Sequence, residues 1–222
     1  MIDDLCFKNS VFYNLIQTYW FFILSMLAGL WKRQRPPLPP RLEGTRIFLR
    51  LPETRDAAAW CMTLQKNRDF LKPWSPTTAL RHVHRKGFAA RHALWRFDSR
   101  QGVSHVFFIF ERETQNLMGG ITLGNIIRGA GQMATLGYWM DEDYTGQGYM
   151  TEAVGVVADF GFSTLGLHRL QAGCLLDNVA SHRVLQKNGF EAEGVARGYI
   201  KIDGVWQDHL IFAKLRTTPM PV

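Results

Sequence analysis

Cysteine is scarce in this chain: three among 222 residues, at Cys6, Cys61 and Cys174. An odd, scattered set supports neither a disulfide framework nor a zinc site. No metal is therefore expected, and a reducing compartment, the cytoplasm, fits. Acidic residues are also in short supply. There are 19 against 26 lysines and arginines, giving a formal net charge of +7 and a pI of about 9.5. That balance suits anionic partners such as phosphates or RNA, although a basic surface also serves solubility alone. There is no internal repeat. Asp3 and Asp4 stand where a secretory signal would carry basic residues, and no small-residue cleavage site follows, which argues against a signal peptide. No Lys-Ser or Lys-Thr pair follows the glycines of the one conspicuous glycine loop, so the chain lacks the phosphate loop of nucleoside triphosphatases.

What is present begins with ordinary globular content, 46% hydrophobic residues. The length is enough for one domain plus an extension. The boundaries read as an extension over 1–35, a linker over 36–44, the folded domain over 45–217 and a tail over 218–222. The apolar run Val11–Trp31 is long enough to cross a bilayer. Asn14, Gln17 and Thr18 interrupt it, and Lys32, Arg33 and Arg35 behind it would keep the rest of the chain cytoplasmic. Three readings stand: a membrane anchor, a helix packed on the protein, or upstream sequence with Met26 as the true first residue. Arg35-Pro36-Pro37-Leu38-Pro39-Pro40 is a stiff linker at the domain edge.

The segment from Leu136 to Phe190 carries the strongest signal. Leu136–Met140 is a short apolar strand, broken by Asp141, Glu142 and Asp143. Tyr144-Thr145-Gly146-Gln147-Gly148-Tyr149-Met150 follows. Its two glycines let the backbone take positive φ and approach a ligand closely. Successive N–H groups can then cradle a phosphate, helped by the positive end of a helix starting near Thr151. Alone, a Gly-x-Gly pair is more often an ordinary loop. Val154, Val157, Ala158, Gly161 and Leu165 recur at helical spacing, with Gly166 as terminator. Arg169–Leu176 reads as a strand with Leu170, Ala172, Cys174 and Leu176 on one face, making a βαβ unit. Asp177 and Asn178 sit where a helix cap is wanted, and Gly189 where that helix ends. Cys174 reads as core rather than nucleophile.

Elsewhere, strands are expected at Arg46–Leu51, His105–Glu111 and Gly119–Ile127, and a helix capped by Asp56 carries Ala57, Trp60, Cys61 and Leu64. A basic helix is expected over Leu80–Phe97. Asp203-Gly204 is a two-residue hairpin turn between Tyr199–Ile202 and Trp206–Ala213. The sum is an α+β fold in three layers, a mixed and mostly antiparallel sheet with a central parallel pair.

Several stretches together resemble the GNAT family of acetyltransferases, and within it the ribosomal-protein-alanine N-acetyltransferases. They are Gly146-Gln147-Gly148-Tyr149-Met150-Thr151-Glu152-Ala153, Asn178-x-x-Ser181, Lys187-x-Gly189-Phe190, Asn67–Trp74, Asn125–Gly129 and Gly204–His209. The resemblance spans Arg41 to Leu215. The general family loop, Gln/Arg-x-x-Gly-x-Gly/Ala, is met here by Thr145-x-x-Gly148-x-Met150, so both flanking positions depart. That branch shares the departures. The resembled family has no amino-terminal anchor, which favours Met26 as the start.

The resemblance implies an acyl-CoA N-acyltransferase fold whose parallel pair splays apart after Tyr138-Trp139-Met140. Acetyl-CoA would lie in the gap. Its expected contacts are Tyr138, Trp139, Met140, Gly146, Gln147, Gly148, Tyr149, Met150, Thr151, Asn178 and Ser181. An amine would attack the thioester directly, with a backbone N–H stabilising the oxyanion. The leaving thiolate has a solution pKa of about 8.5, so a proton donor helps. The tyrosine that many relatives use for this is Leu185 here, and Ser181, one turn earlier on the same face, is the substitute. An N-terminal amine, with a pKa of about 8, needs only a weak base. Glu111, Glu142, Asp177, His168 and His209 are candidates, and Asn178 either orients a ligand or caps its helix. The implied acceptor is the N-terminal α-amine of a ribosomal protein, contacted by Asn67, Trp74 and Asp208. A small amine is the alternative, and a non-enzymatic ribosome-assembly role a third possibility. Arg81, His82, His84, Arg85 and Lys86 offer a weak RNA contact or simply a solvated face.

Overall fold

The computed structural model describes residues 38–76 and 78–217. The apolar run Val11–Trp31, the start of the proline-rich linker and the tail 218–222 lie outside the described residues. So does the question of which residue begins the chain. Among the described residues no helix is long and apolar enough to cross a membrane.

One eight-stranded sheet organises the domain. Its strands are β1 (Leu42–Glu43), β2 (Ile47–Arg50), β3 (His105–Glu111), β4 (Leu117–Ile127), β5 (Met133–Met140), β6 (Arg169–Leu175), β7 (Glu191–Ile202) and β8 (Val205–Leu215). The spatial order is β1-β2-β3-β4-β5-β6-β8-β7. Every neighbouring pair is antiparallel except β5 and β6. A parallel pair needs a crossover, and the helix α4 (Tyr149–Asp159) with its π-turn Phe160–Thr164 provides it. The other helices are α1 (Ala57–Lys66), α2 (Arg68–Leu71), α3 (Arg85–Gln101) and α5 (Val179–Lys187).

Both faces of the sheet are covered, which explains why β3 reads as an unbroken apolar run, buried from His105 to Phe110. On one face Val154, Val157, Ala158 and Leu185 of α4 and α5 pack on Leu136, Leu170 and Ala172. On the other, Trp60 and Leu64 of α1 and Phe88 of α3 pack on Phe48, Phe108 and Phe110. Trp60, at 2% exposure, is core.

Some expected elements moved. The basic helix starts at Arg85, not Leu80, and runs on to Gln101. His82 takes a positive φ of 55° that ends regular helix on its amino side, and His84 caps the helix by accepting from the Gly87 N–H at 3.1 Å. Arg91 is half-buried by this arrangement. It donates to the carbonyls of Thr78, Ala79 and Arg81, and burial pulls its pKa down. Asp56 does not cap forward; its carboxylate accepts from the Glu53 N–H and grips Arg50. Strand β7 begins eight residues before its expected start at Tyr199. Its register shifts twice against β8. The turn Asp203-Gly204 has φ of 42° and 88°, both positive as a tight hairpin requires.

Candidate active site

Strand β5 delivers the chain into a turn that α1 holds in place. Lys66, at the end of α1, donates to Asp141 at 3.0 Å and to Asp143, and these bonds raise its pKa, Asp143 first. Asn67 accepts from the Glu142 N–H at 2.9 Å and donates to the Thr63 carbonyl at 2.9 Å. From this turn the loop passes through Gly146 (φ 74°) and Gly148 (φ 84°) into α4. A Cβ at Gly146 would meet nothing within 4 Å, so backbone conformation, not crowding, is what calls for glycine there. The first-turn N–H groups of α4 have no intrahelical acceptors and point with the positive end of the helix.

Arg46 supports the loop from the other side. It donates through Nη1 to the Gln147 carbonyl at 3.1 Å and through Nε to Glu152 at 3.1 Å, with its guanidinium 4.5 Å from the Tyr149 ring centroid. Glu152 lies in the first turn of α4, where a carboxylate would repel a bound phosphate, and Arg46 offsets that charge. A trans peptide points its N–H opposite its carbonyl. Holding the Gln147 carbonyl therefore turns the Gly148 N–H away from Arg46.

Beyond the loop the parallel pair opens. Strands β5 and β6 pair only from Met133 with Arg169 to Leu136 with Ala172. After that β5 stays with β4 as far as Met140, and β6 stays with β8 as far as Leu175. The gap is a cavity of about 470 Å³ lined by Trp74, Tyr138, Cys174, Asn178, Ser181 and His209 among others. Inside it the Tyr138 phenol lies 2.8 Å from the Ser181 hydroxyl. Burial pushes the phenol's pKa far above its ordinary value. Burial also pushes the Cys174 thiol up, and Ser181 is within its hydrogen-bonding reach. Asn178 caps α5, accepting from the Ser181 N–H at 3.0 Å. His209 is 3% exposed, with Nδ1 3.0 Å from the Gln207 carbonyl. With Nδ1–H donating there, Nε2 is the basic nitrogen.

One side of the cleft is closed. Pro76 bridges to Ile202, and Lys72 pairs with Asp203 at 3.4 Å. On another side it adjoins a groove of about 800 Å³ through the shared residues Thr122, Gly124, Asn125, Thr135 and Tyr199. A further hollow, against Arg50 and Asp56, lies elsewhere; those two side chains are committed to each other at 2.7 and 2.8 Å.

The sequence-selected residues thus divide. Tyr138, Asn178, Ser181, Trp74 and His209 line one cleft. Gly146, Gln147 and Gly148 form the loop. Tyr149 donates to Glu111, Met150 is core, and the Thr151 carbonyl accepts from Asn188. Trp139 and Met140 turn their side chains into the two cores, one each. Asn67 is buried, and both ends of its amide hold backbone. Asp208 accepts from the Gly198 N–H at 2.8 Å in the β7 irregularity; neither it nor Asn67 lines the cleft. Of the five proposed bases only His209 does. Glu111 is engaged by Tyr149 and Thr114, and His168 lies just before β6, at the end away from the splay. Sequence reasoning missed Arg46 and Lys66 as loop supports and Tyr199 as a cleft wall. None belongs to a local pattern; each is brought in from a distant element.

A family model described as an acetyltransferase (GNAT) domain matches residues 46–191. The chain is 39% identical over 174 residues to the Bacillus subtilis protein named Probable N-acetyltransferase YjcK, covering 78% of this chain and 96% of that one. It is 34% identical over 179 residues to the [ribosomal protein uS5]-alanine N-acetyltransferase of Escherichia coli, covering 81% and 91%. Among solved structures, Mycobacterium smegmatis RimJ in complex with CoA-disulfide superposes with a TM-score of 0.76 at 31% identity, over 80% of this chain and 88% of that one.

Proposed function

The chain belongs to the GNAT acetyltransferase family, and from that membership we propose that it transfers an acetyl group from acetyl-CoA to the N-terminal α-amine of a protein, a ribosomal protein being the favoured acceptor. The observation that carries the acceptor class is the adjoining groove. A cleft meant for a polyamine or free amino acid would close around its ligand and supply acidic groups. This one adjoins a second groove of about 800 Å³, room for residues behind a reacting terminus. The named activity of the Escherichia coli relative, on a ribosomal-protein alanine, supports the same reading.

The residues fit the donor. The loop at Gly146–Gly148, the open amides of α4 and Arg46 suit the diphosphate of acetyl-CoA. The splayed backbone of β5 past Leu136, without its β6 partner, suits pantetheine amides. In the reaction the amine nitrogen forms a bond to the thioester carbonyl carbon, and the carbon–sulfur bond breaks. His209 takes the proton shed by the amine. Ser181 gives a proton to the departing sulfur and regains one from solvent, while the Tyr138 phenol, 2.8 Å away and kept protonated by burial, holds the hydroxyl in place. The hydroxyl that Leu185 lacks is thereby replaced from one turn earlier on the same helix.

His209→Gln tests the assignment. It should lower kcat on peptide acceptors, leaving KM for acetyl-CoA unchanged. A wild-type kcat in this variant would remove His209 from the mechanism.

A further inference from the structure

Strand β4 departs from regular geometry at Asn125. Its pairing with β5 shifts between Gly124 and Ile127. Asn125 itself has φ +50°, in the left-handed region that costs a side-chain-bearing residue energy. The irregularity has a visible result. The Ile126 N–H donates to the Val103 carbonyl at 3.0 Å, and the Ile126 side chain is buried. Asn125 is left exposed at the boundary shared by the cleft and the adjoining groove. Among the described residues its carboxamide has no hydrogen-bond partner.

A carboxamide offers one acceptor and two donor hydrogens. That set is complementary to a peptide unit, which presents one C=O and one N–H. We propose that Asn125 is an acceptor-binding residue that pairs with the first peptide unit of the incoming chain, and that this contact makes the enzyme favour a peptide terminus over a small amine. The inference rests on the peptide-acceptor reading above. An amine seated in the cleft must trail its first peptide bond past the boundary where Asn125 stands. Polyamines and free amino acids carry no peptide unit, so they leave the Asn125 carboxamide unpaired.

A simpler account of Asn125 is that asparagine tolerates positive φ better than most residues. Glycine would then serve at least as well, and that difference makes the test. In the full-length protein, Asn125→Gly should keep or raise the melting temperature and leave KM for acetyl-CoA unchanged. KM for the best α-amino peptide should rise on the order of tenfold, the loss of roughly one hydrogen bond. An analogue whose first peptide N–H is replaced by an ester oxygen should be a poorer substrate than the peptide for the wild type, and equally poor for Asn125→Gly. Unchanged peptide KM in Asn125→Gly overturns the proposal, as does a parallel rise in KM for acetyl-CoA. A wild-type protein that turns over spermidine or free amino acids but no peptide overturns the acceptor reading and this inference together.

Discussion

Replacing Gly148 separates the two halves of the donor site. Gly148 has φ 84°, and a Cβ there would stand 3.4 Å from the Arg46 Nη2. Alanine therefore fits sterically, because the neighbouring atom ends a flexible side chain. Its cost is conformational, about 1–2 kcal/mol for a non-glycine residue in the left-handed region. The loop can relieve that strain by rotating, and rotation turns the Gly148 N–H off the diphosphate. Losing one hydrogen bond to a charged group costs about 1.5–3 kcal/mol, or roughly 10- to 150-fold in affinity. Gly148→Ala should weaken CoA binding by that factor in calorimetry, and Gly148→Trp, whose indole must push Arg46 off the loop, should abolish it. Acetyl-pantetheine, which has no diphosphate, supplies the control. Its KM should be the same for wild type and Gly148→Ala. Unchanged CoA affinity in Gly148→Trp would refute the assignment of this loop to the diphosphate.

Three further outcomes follow from the geometry. Arg46→Met should raise KM for acetyl-CoA without touching KM for acetyl-pantetheine, since Arg46 meets the loop at the Gln147 carbonyl and Glu152; a parallel rise for both donors would contradict a role confined to the diphosphate. Ser181→Ala should lower kcat about a hundredfold, within the usual range for a general acid, with both KM values little changed; a normal kcat would assign Ser181 to binding or capping alone. His105 is buried with Nδ1 2.7 Å from the Ser99 hydroxyl, and burial chiefly, with the charge of Arg128, lowers its pKa to about 4. The folded state thus disfavours protonation that the unfolded chain accepts from about pH 6.5 downward. This contribution is present in full above that pH and is lost as pH falls towards 4, up to about 3 kcal/mol. Urea unfolding between pH 7.5 and 4 should show that slope in wild type and a shallower one in His105→Gln; equal slopes would dismiss it.

The fold was legible wherever local pattern and tertiary environment agreed. Strand β3 lies where its apolar run put it, and the βαβ unit follows from a strand, a helix-period stretch and a second strand punctuated by Gly166. The basic helix was misplaced because its charged face carries little phase information, and the break at His82 is a backbone event that no residue type announces. Most of β7 was missed because its first nine residues are largely exposed and two glycines interrupt their alternation. The site divides in the same way. Gly146, Gly148, Asn178 and Ser181 belong to short motifs, so the glycine loop and the capped helix start that carry them could be read. Choosing among five possible bases required knowing which lines the cleft. Asn67 and Asp208 show the converse. A polar residue that ties two loops together cannot be told by sequence from one awaiting a ligand. Arg46 and Lys66 reach the loop from elements about a hundred and about eighty residues away, and no spacing rule connects them to it.

Acetyl-CoA turnover on peptides with free N-termini, beside spermidine and free amino acids, decides whether the acceptor is a protein terminus. Ribosomal-protein sequences beginning with Ala, Ser or Thr belong in that panel. CoA release should depend on peptide, with mass spectrometry placing the acetyl group on the α-amine. Release with spermidine or free amino acids and none with any peptide would contradict it.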